Sequence, residues 1–129
     1  MPLKNIMYVE DDLDNHTLIK LFLRNEPWDV VTTESPDQAL DALEQNTMDL
    51  IIVDLNLQGE GDGAELIRTI RQNPGYQETP IFVFSGFDEH HFKQYGIEEL
   101  VQRFFRKPTS KKVLVEAISE FDDTKESQM

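Results

Sequence analysis

Short apolar runs alternate along this chain with longer segments of mixed polarity. Ile6-Met7-Tyr8-Val9, Leu50-Ile51-Ile52-Val53 and Ile81-Phe82-Val83-Phe84 are continuous, and Phe104-Phe105 is a shorter fourth run. Continuous apolar character fits strands covered on both faces, as in parallel sheets. The pattern predicts five strands at about 5–9, 29–33, 49–53, 80–84 and 103–106. Helical spacing fills the gaps. A first helix is expected from about Asp14 to Asn25, with Leu18, Ile19, Phe22 and Leu23 facing inward. A second follows Ser35-Pro36, a cap and first-turn pair, with Ala39, Leu40 and Leu43 as its apolar positions. A third covers about Gly63 to Gln72 and stops at Asn73-Pro74-Gly75. A weak fourth runs from about Asp88 to Tyr95, breaks near Gly96 and resumes to Val101. The fifth follows Thr109-Ser110, with Val113, Leu114, Ala117, Ile118 and Phe121 as its stripe. Strands alternating with helices predict an α/β fold of βα repeats around a mostly parallel sheet.

The chain has 129 residues, enough for one domain with one core, which is expected over about residues 4–121 with a polar tail at 122–129. No linker or repeat interrupts it, and no output domain is expected. It has no cysteine, which excludes disulfides and thiolate metal sites. No apolar run approaches a membrane span or a signal-peptide core, so a cytoplasmic protein is expected. The formal net charge of −13 repels nucleic acid and anionic lipid, and most of the excess reads as solvated helix faces.

The chemistry gathers at the strand ends. The first run ends in Glu10-Asp11-Asp12, the second in Asp54, the third in Ser85, and the fourth leads into Lys107-Pro108. The C-terminal ends of strands in open α/β sheets are where ligands bind. If the first and second runs are neighbours, Glu10, Asp11 and Asp54 converge. Such crowding is costly without a cation, and hard oxygen donors suit Mg²⁺, with Mn²⁺ also fitting. Asp12 and Asp14, at the start of the first helix, read instead as solvated turn-forming or helix-cap acids. Lys107 can pair with Asp54 or with an incoming phosphoryl group. Ser85 can cap the fourth helix or donate to a phosphoryl oxygen. His16, His90 and His91 are read as surface residues.

These pieces carry a resemblance. Val9-Glu10-Asp11-Asp12, Ile52-Val53-Asp54-Leu55-Asn56, Phe84-Ser85-Gly86 and Lys107-Pro108, in that order, resemble the motifs of a response-regulator receiver domain of bacterial two-component signalling. The resemblance implies a doubly wound, flavodoxin-like (βα)5 sheet of order 2-1-3-4-5. It also implies that Asp54 accepts a phosphoryl group from a sensor histidine kinase or phosphotransfer protein. Asp11, Asp54 and the Asn56 carbonyl would then ligate Mg²⁺, with Glu10 acting mainly through water. Lys107 would contact the phosphoryl group, Ser85 would bond the phosphorylated state, and Phe104 would be an aromatic switch. A downstream protein would read the face made by the fourth helix, fifth strand and fifth helix, the chain being a monomer or weak dimer that catalyses only its own phosphorylation and dephosphorylation.

The chain departs from the family pattern in three places. The stretch Asp54 to Gly63 lacks the usual Pro, is one residue longer and carries Gly59, Gly61 and Gly63. Leu100-Val101 stands where Gly-Ala is usual. Asn56 and Phe87 stand at places that flank a hydrolytic water and so tune dephosphorylation. Two other function classes stay open. One is a phosphorylation-independent binding module. The other is a Mg²⁺-dependent phosphohydrolase, which Asn56 disfavours because such enzymes place an acid two residues after the nucleophile.

Overall fold

The computed structural model describes residues 3–55, 57 and 62–122. The strands are β1 (Asn5–Val9), β2 (Asp29–Thr33), β3 (Leu50–Asp54), β4 (Ile81–Ser85) and β5 (Arg103–Arg106). The helices are α1 (Leu13–Leu23), α2 (Pro36–Gln45), α3 (Asp62–Gln72), α4 (Glu89–Lys93) and α5 (Lys111–Glu120). All strand pairs are parallel and the order is β2-β1-β3-β4-β5, so the doubly wound α/β expectation holds.

Strand alternation divides the core into two layers. Met7, Val9, Ile51, Val53, Ile81 and Val83 pack with Ala39, Leu43, Ile67, Ile70 and Phe92 from α2, α3 and α4. Ile6, Tyr8, Leu50, Ile52, Phe82 and Phe84 pack with Ile19, Leu23, Leu114 and Ile118 from α1 and α5. The central strands β3 and β4 are buried along their whole length, which is why their sequences show no polar alternation.

The structure corrects the sequence reading in several places. β3 and β4 each sit one residue later than expected, so Asp54 and Ser85 are the last residues of strands rather than the first of loops. Leu18 and Val113 were expected to face inward but are 45% and 48% exposed. α4 has only five residues. Gly96 then turns the chain with φ +67°, a left-handed conformation that glycine adopts without strain, and a 3-10 turn at Glu98–Leu100 replaces the resumed helix. His16 is buried, not on the surface, and its Nε2 lies 2.5 Å from the Glu10 carbonyl. Asp122, expected in the tail, is buried, and its Oδ2 accepts from Trp28 Nε1 at 2.6 Å. The readings made on Asn56, on Gly59 and Gly61, and on the tail from 123 onward lie outside the described residues.

Asp12 caps α1 as expected, its side chain accepting from the Asp14 N–H at 2.9 Å. Ser35 caps α2 and Ser110 caps α5 in the same way. Ser85 does not cap α4; Asp88 does, accepting from the His91 N–H at 3.0 Å. That bond, ahead of a weaker attraction to Arg106, holds the Asp88 carboxyl below its ordinary range.

Candidate functional site

β1 and β3 are neighbours, with Val9 opposite Val53, so Glu10 and Asp54 leave adjacent strand tips. Glu10, Asp11 and Asp54 each bring a carboxylate oxygen within 4.8 Å of the others. Glu10 and Asp54 are buried and Asp11 is exposed. Lys107 follows β5 and reaches across β4 into this cluster. Its ammonium donates to Asp54 Oδ2 at 2.8 Å and to Glu10 Oε2 at 2.9 Å. Its backbone is anchored as well, since the Lys107 N–H donates to the Ser85 carbonyl at 2.7 Å.

Glu10 is tied at several atoms. Its backbone N–H donates to the Thr33 carbonyl at 3.0 Å, and its Oε1 accepts from the Asp12 N–H at 3.2 Å. Its Oε2 accepts from the Tyr8 hydroxyl at 3.2 Å as well as from Lys107. Burial, reinforced by the Asp54 carboxylate and opposed by Lys107, pushes the Glu10 carboxyl up to about 7. Burial alone would pull the Lys107 ammonium down, but its bonds to Asp54 and Glu10 outweigh that and the net shift is upward. Burial, followed by the charges of Glu10 and Asp54, drives the Tyr8 phenol far above its usual range, so it stays a donor.

The backbone behind Asp54 closes on α3. The Gly63 N–H donates to the Leu55 carbonyl at 3.0 Å. A Cβ on Gly63 would lie 2.2 Å from the Asp54 carbonyl oxygen and 2.6 Å from Leu55 Cα. Glycine is therefore required there by the close approach of two backbones.

Ser85 is fully buried, and its hydroxyl accepts from the Phe87 N–H at 3.0 Å. Phe87 itself is 49% exposed and stacks on His91, with ring centroids 4.3 Å apart. Phe104 is half-buried and stacks on Phe92 at 4.9 Å. Leu100 and Val101 pack against the α3–α4 side of the core. Four expected residues thus bring their side chains together, Glu10, Asp11, Asp54 and Lys107, and the fifth, Ser85, ends the neighbouring strand and holds the Lys107 backbone. Phe87, Phe104 and their partners build the adjoining α4–β5 flank. Tyr8 was missed, and His16 was read as a surface residue. The period of two along β1 places Tyr8 on the same face as Glu10, and that signal was legible.

The donor set fits a Mg²⁺ site. It offers three hard carboxylate oxygens, and a nearby ammonium limits but does not cancel their negative charge. A parallel α/β sheet of this order, with an acidic cluster and a lysine at its C-terminal edge, defines a class of signalling and phosphate-handling domains. The chain belongs to one family in that class: the response regulator receiver domain model matches residues 6–119. It is 30% identical over 113 residues to the cell cycle response regulator CtrA of Brucella ovis, covering 88% of this chain and 47% of that protein. The chain thus spans about half the length of the curated relatives it matches. Among solved structures it is similar to a sensor protein from Polaromonas sp. JS666, with TM-score 0.84 and 27% identity over 96% of this chain and 99% of that one. It shares the fold of the receiver domain of the sensor histidine kinase PA1611 from Pseudomonas aeruginosa, with TM-score 0.82 and 23% identity over 92% and 96% of the two chains. That domain holds a magnesium ion in its active-site cleft. The present chain is a receiver domain of two-component systems. No described helix is long and apolar enough to cross a membrane.

Proposed function

We propose that this receiver accepts a phosphoryl group on Asp54 and passes the signal on by a change in the α4–β5–α5 face. The observation that carries the reading is the convergence of Asp54 with Lys107, 2.8 Å away, inside a cluster of three carboxylates. A phosphohistidine of a sensor kinase or phosphotransfer protein is the donor, and a small acyl phosphate can replace it. An Asp54 oxygen bonds to phosphorus as the bond to the donor breaks, and the departing group keeps the electron pair. Lys107 lies where it can leave Asp54 for the equatorial phosphoryl oxygens as their charge develops. Glu10, Asp11 and Asp54 would hold Mg²⁺, or Mn²⁺ in its place; when bound, the ion supplies the remaining positive charge.

In this reading Ser85 turns its hydroxyl hydrogen to a phosphoryl oxygen, which its present role as acceptor from the Phe87 N–H leaves free to do. Phe104 is the aromatic whose stack on Phe92 is rearranged. The acyl phosphate shifts an existing equilibrium rather than building a new structure. The partners are a kinase or phosphotransfer protein and a downstream target, all met in the cytoplasm, and the chain turns over no separate substrate.

The test is intact mass after incubation with Mg²⁺ and a small acyl phosphate, beside Asp54→Asn. A gain of ~80 Da, one phosphoryl group on a carboxylate, is expected in the unmodified chain only. No gain in either protein, with Mg²⁺ binding measured separately, would replace this reading with a phosphate-independent binding module. Multiple turnovers of a phosphate ester would point instead to a hydrolase.

A further inference from the structure

Tyr8 is a buried group beside the site that the proposed chemistry does not use. Its ring sits edge-on between His16 and Phe84, with centroids 5.9 Å from each. That packing needs only a phenyl group. A buried hydroxyl is costly unless it is bonded, and here it donates to Glu10 Oε2 at 3.2 Å. The same oxygen accepts from Lys107, so two donors share it.

We infer that the Tyr8 hydroxyl is a positioning group that weakens the hold of Glu10 on Lys107. The inference rests on the reading of Asp54 as phosphoacceptor. A hydrogen bond donated to a carboxylate oxygen lowers its basicity, so that oxygen attracts a second donor less strongly. The ammonium is thereby balanced between Glu10 and Asp54 and stays available to the transferring group. Lys107 also has room to move. Together with Tyr8, Asn15 and Leu18 it lines a cavity of about 140 Å³ between α1 and the segment after β5. Holding the carboxylate at a third point, the Asp12 N–H on Oε1, keeps Glu10 from swinging to compensate.

The experiment compares wild type, Tyr8→Phe, Glu10→Gln and the double variant. Two quantities are read: the rate of phosphorylation by a small acyl phosphate at saturating Mg²⁺, and the NMR signal of the Lys107 side chain in metal-free protein. Tyr8→Phe is expected to slow phosphorylation on the order of fivefold, the rate equivalent of one hydrogen bond, and to shift the Lys107 signal. In the Glu10→Gln background, where the charge shared by Tyr8 and Lys107 is gone, the same change should do neither. Equal effects in both backgrounds would show that Tyr8 serves packing alone and would overturn the inference. So would a Tyr8→Phe protein with lowered thermal stability but wild-type rate and Lys107 signal. If wild type takes up no phosphoryl group, the phosphoacceptor reading fails, and the Lys107 signal then decides about Tyr8 independently.

Discussion

The acidic strand tips and the α4–β5 flank are built by opposite means. At the tips, charged bonds join residues far apart in sequence: Lys107 to Asp54 and to Glu10, at 2.8 and 2.9 Å. These bonds lie in a buried setting, where a broken pair leaves an uncompensated charge. On the flank, α4 has five residues and its side chains touch mostly near neighbours. Phe87 stacks on His91, and the His91 ring nitrogen lies 3.2 Å from the Tyr95 hydroxyl. Longer-range ties of the flank include the burial of Phe92 in the core, its stack on Phe104 and the bond from Arg68 to the Tyr95 carbonyl. Long-range ion pairs hold reacting groups to one geometry. Short helices held by stacking can change packing at small cost. The two regions share β4, whose last residue, Ser85, accepts from Lys107 on one side and Phe87 on the other.

The contrast can be broken most severely at Gly63. Gly63→Ala puts a Cβ against the Asp54 carbonyl, so the strand tip must shift. A loss of about 3 kcal/mol in denaturant unfolding is expected, together with loss of Mg²⁺ binding, whereas Gly96→Ala, strained only in φ, should leave Mg²⁺ binding intact. Wild-type Mg²⁺ affinity in Gly63→Ala would contradict the close approach.

Lys107→Met should cost roughly 2 kcal/mol near pH 8 by leaving Glu10 and Asp54 without their counter-ion. The cost should shrink near pH 5, where Glu10 takes a proton. Equal losses at both pH values would show that the ammonium is not compensating these carboxylates.

The same linkage acts in the unmodified chain. Glu10 holds its proton up to about pH 7 when folded, against 4.5 for the free side chain. The folded state therefore binds more protons between these values, and metal-free stability should fall as pH rises through them. Mg²⁺ should offset that fall, so stabilisation by the ion should be larger at pH 8 than at pH 5. Unfolding curves at the two pH values, with and without Mg²⁺, check the sign.

On the flank, effects should be smaller and should spare the metal. Phe104→Ala removes a half-buried ring from its stack on Phe92 and should cost about 1.5 kcal/mol, with Mg²⁺ affinity unchanged. A matching drop in Mg²⁺ affinity would erase the distinction between the two regions. Phe87→Glu, at an exposed position, should change stability by less than about 0.5 kcal/mol. It should nonetheless speed loss of the phosphoryl group from Asp54, because an apolar ring gives way to a group that can orient water. Equal half-lives of the two phosphorylated proteins would show that Phe87 does not tune dephosphorylation.

Much of this molecule was legible along the chain because its central strands are covered on both faces. Continuous runs such as Leu50 to Val53 and Ile81 to Phe84 mark such strands, and the polar residues that end them mark the sheet edge. Glu10, Asp11, Asp54, Ser85 and Lys107 were singled out as candidates in this way, and local turn chemistry marked the caps Asp12 and Ser35. Local chemistry sets those features, so local sequence reveals them. What only the tertiary structure decided depends on distance in space. His16 looked like a surface residue because helical spacing says nothing of a carbonyl six residues earlier in sequence, which the turn after β1 brings to 2.5 Å. Asp122 looked like tail because its partner, Trp28, stands 94 residues away. Leu18 and Val113 looked like core because periodicity identifies a stripe but not which of its edges the sheet covers. The sharing of one Glu10 oxygen between Tyr8 and Lys107 belongs to the same class. It needs the β1 alternation, which is local, and the return of the chain after β5, which is not.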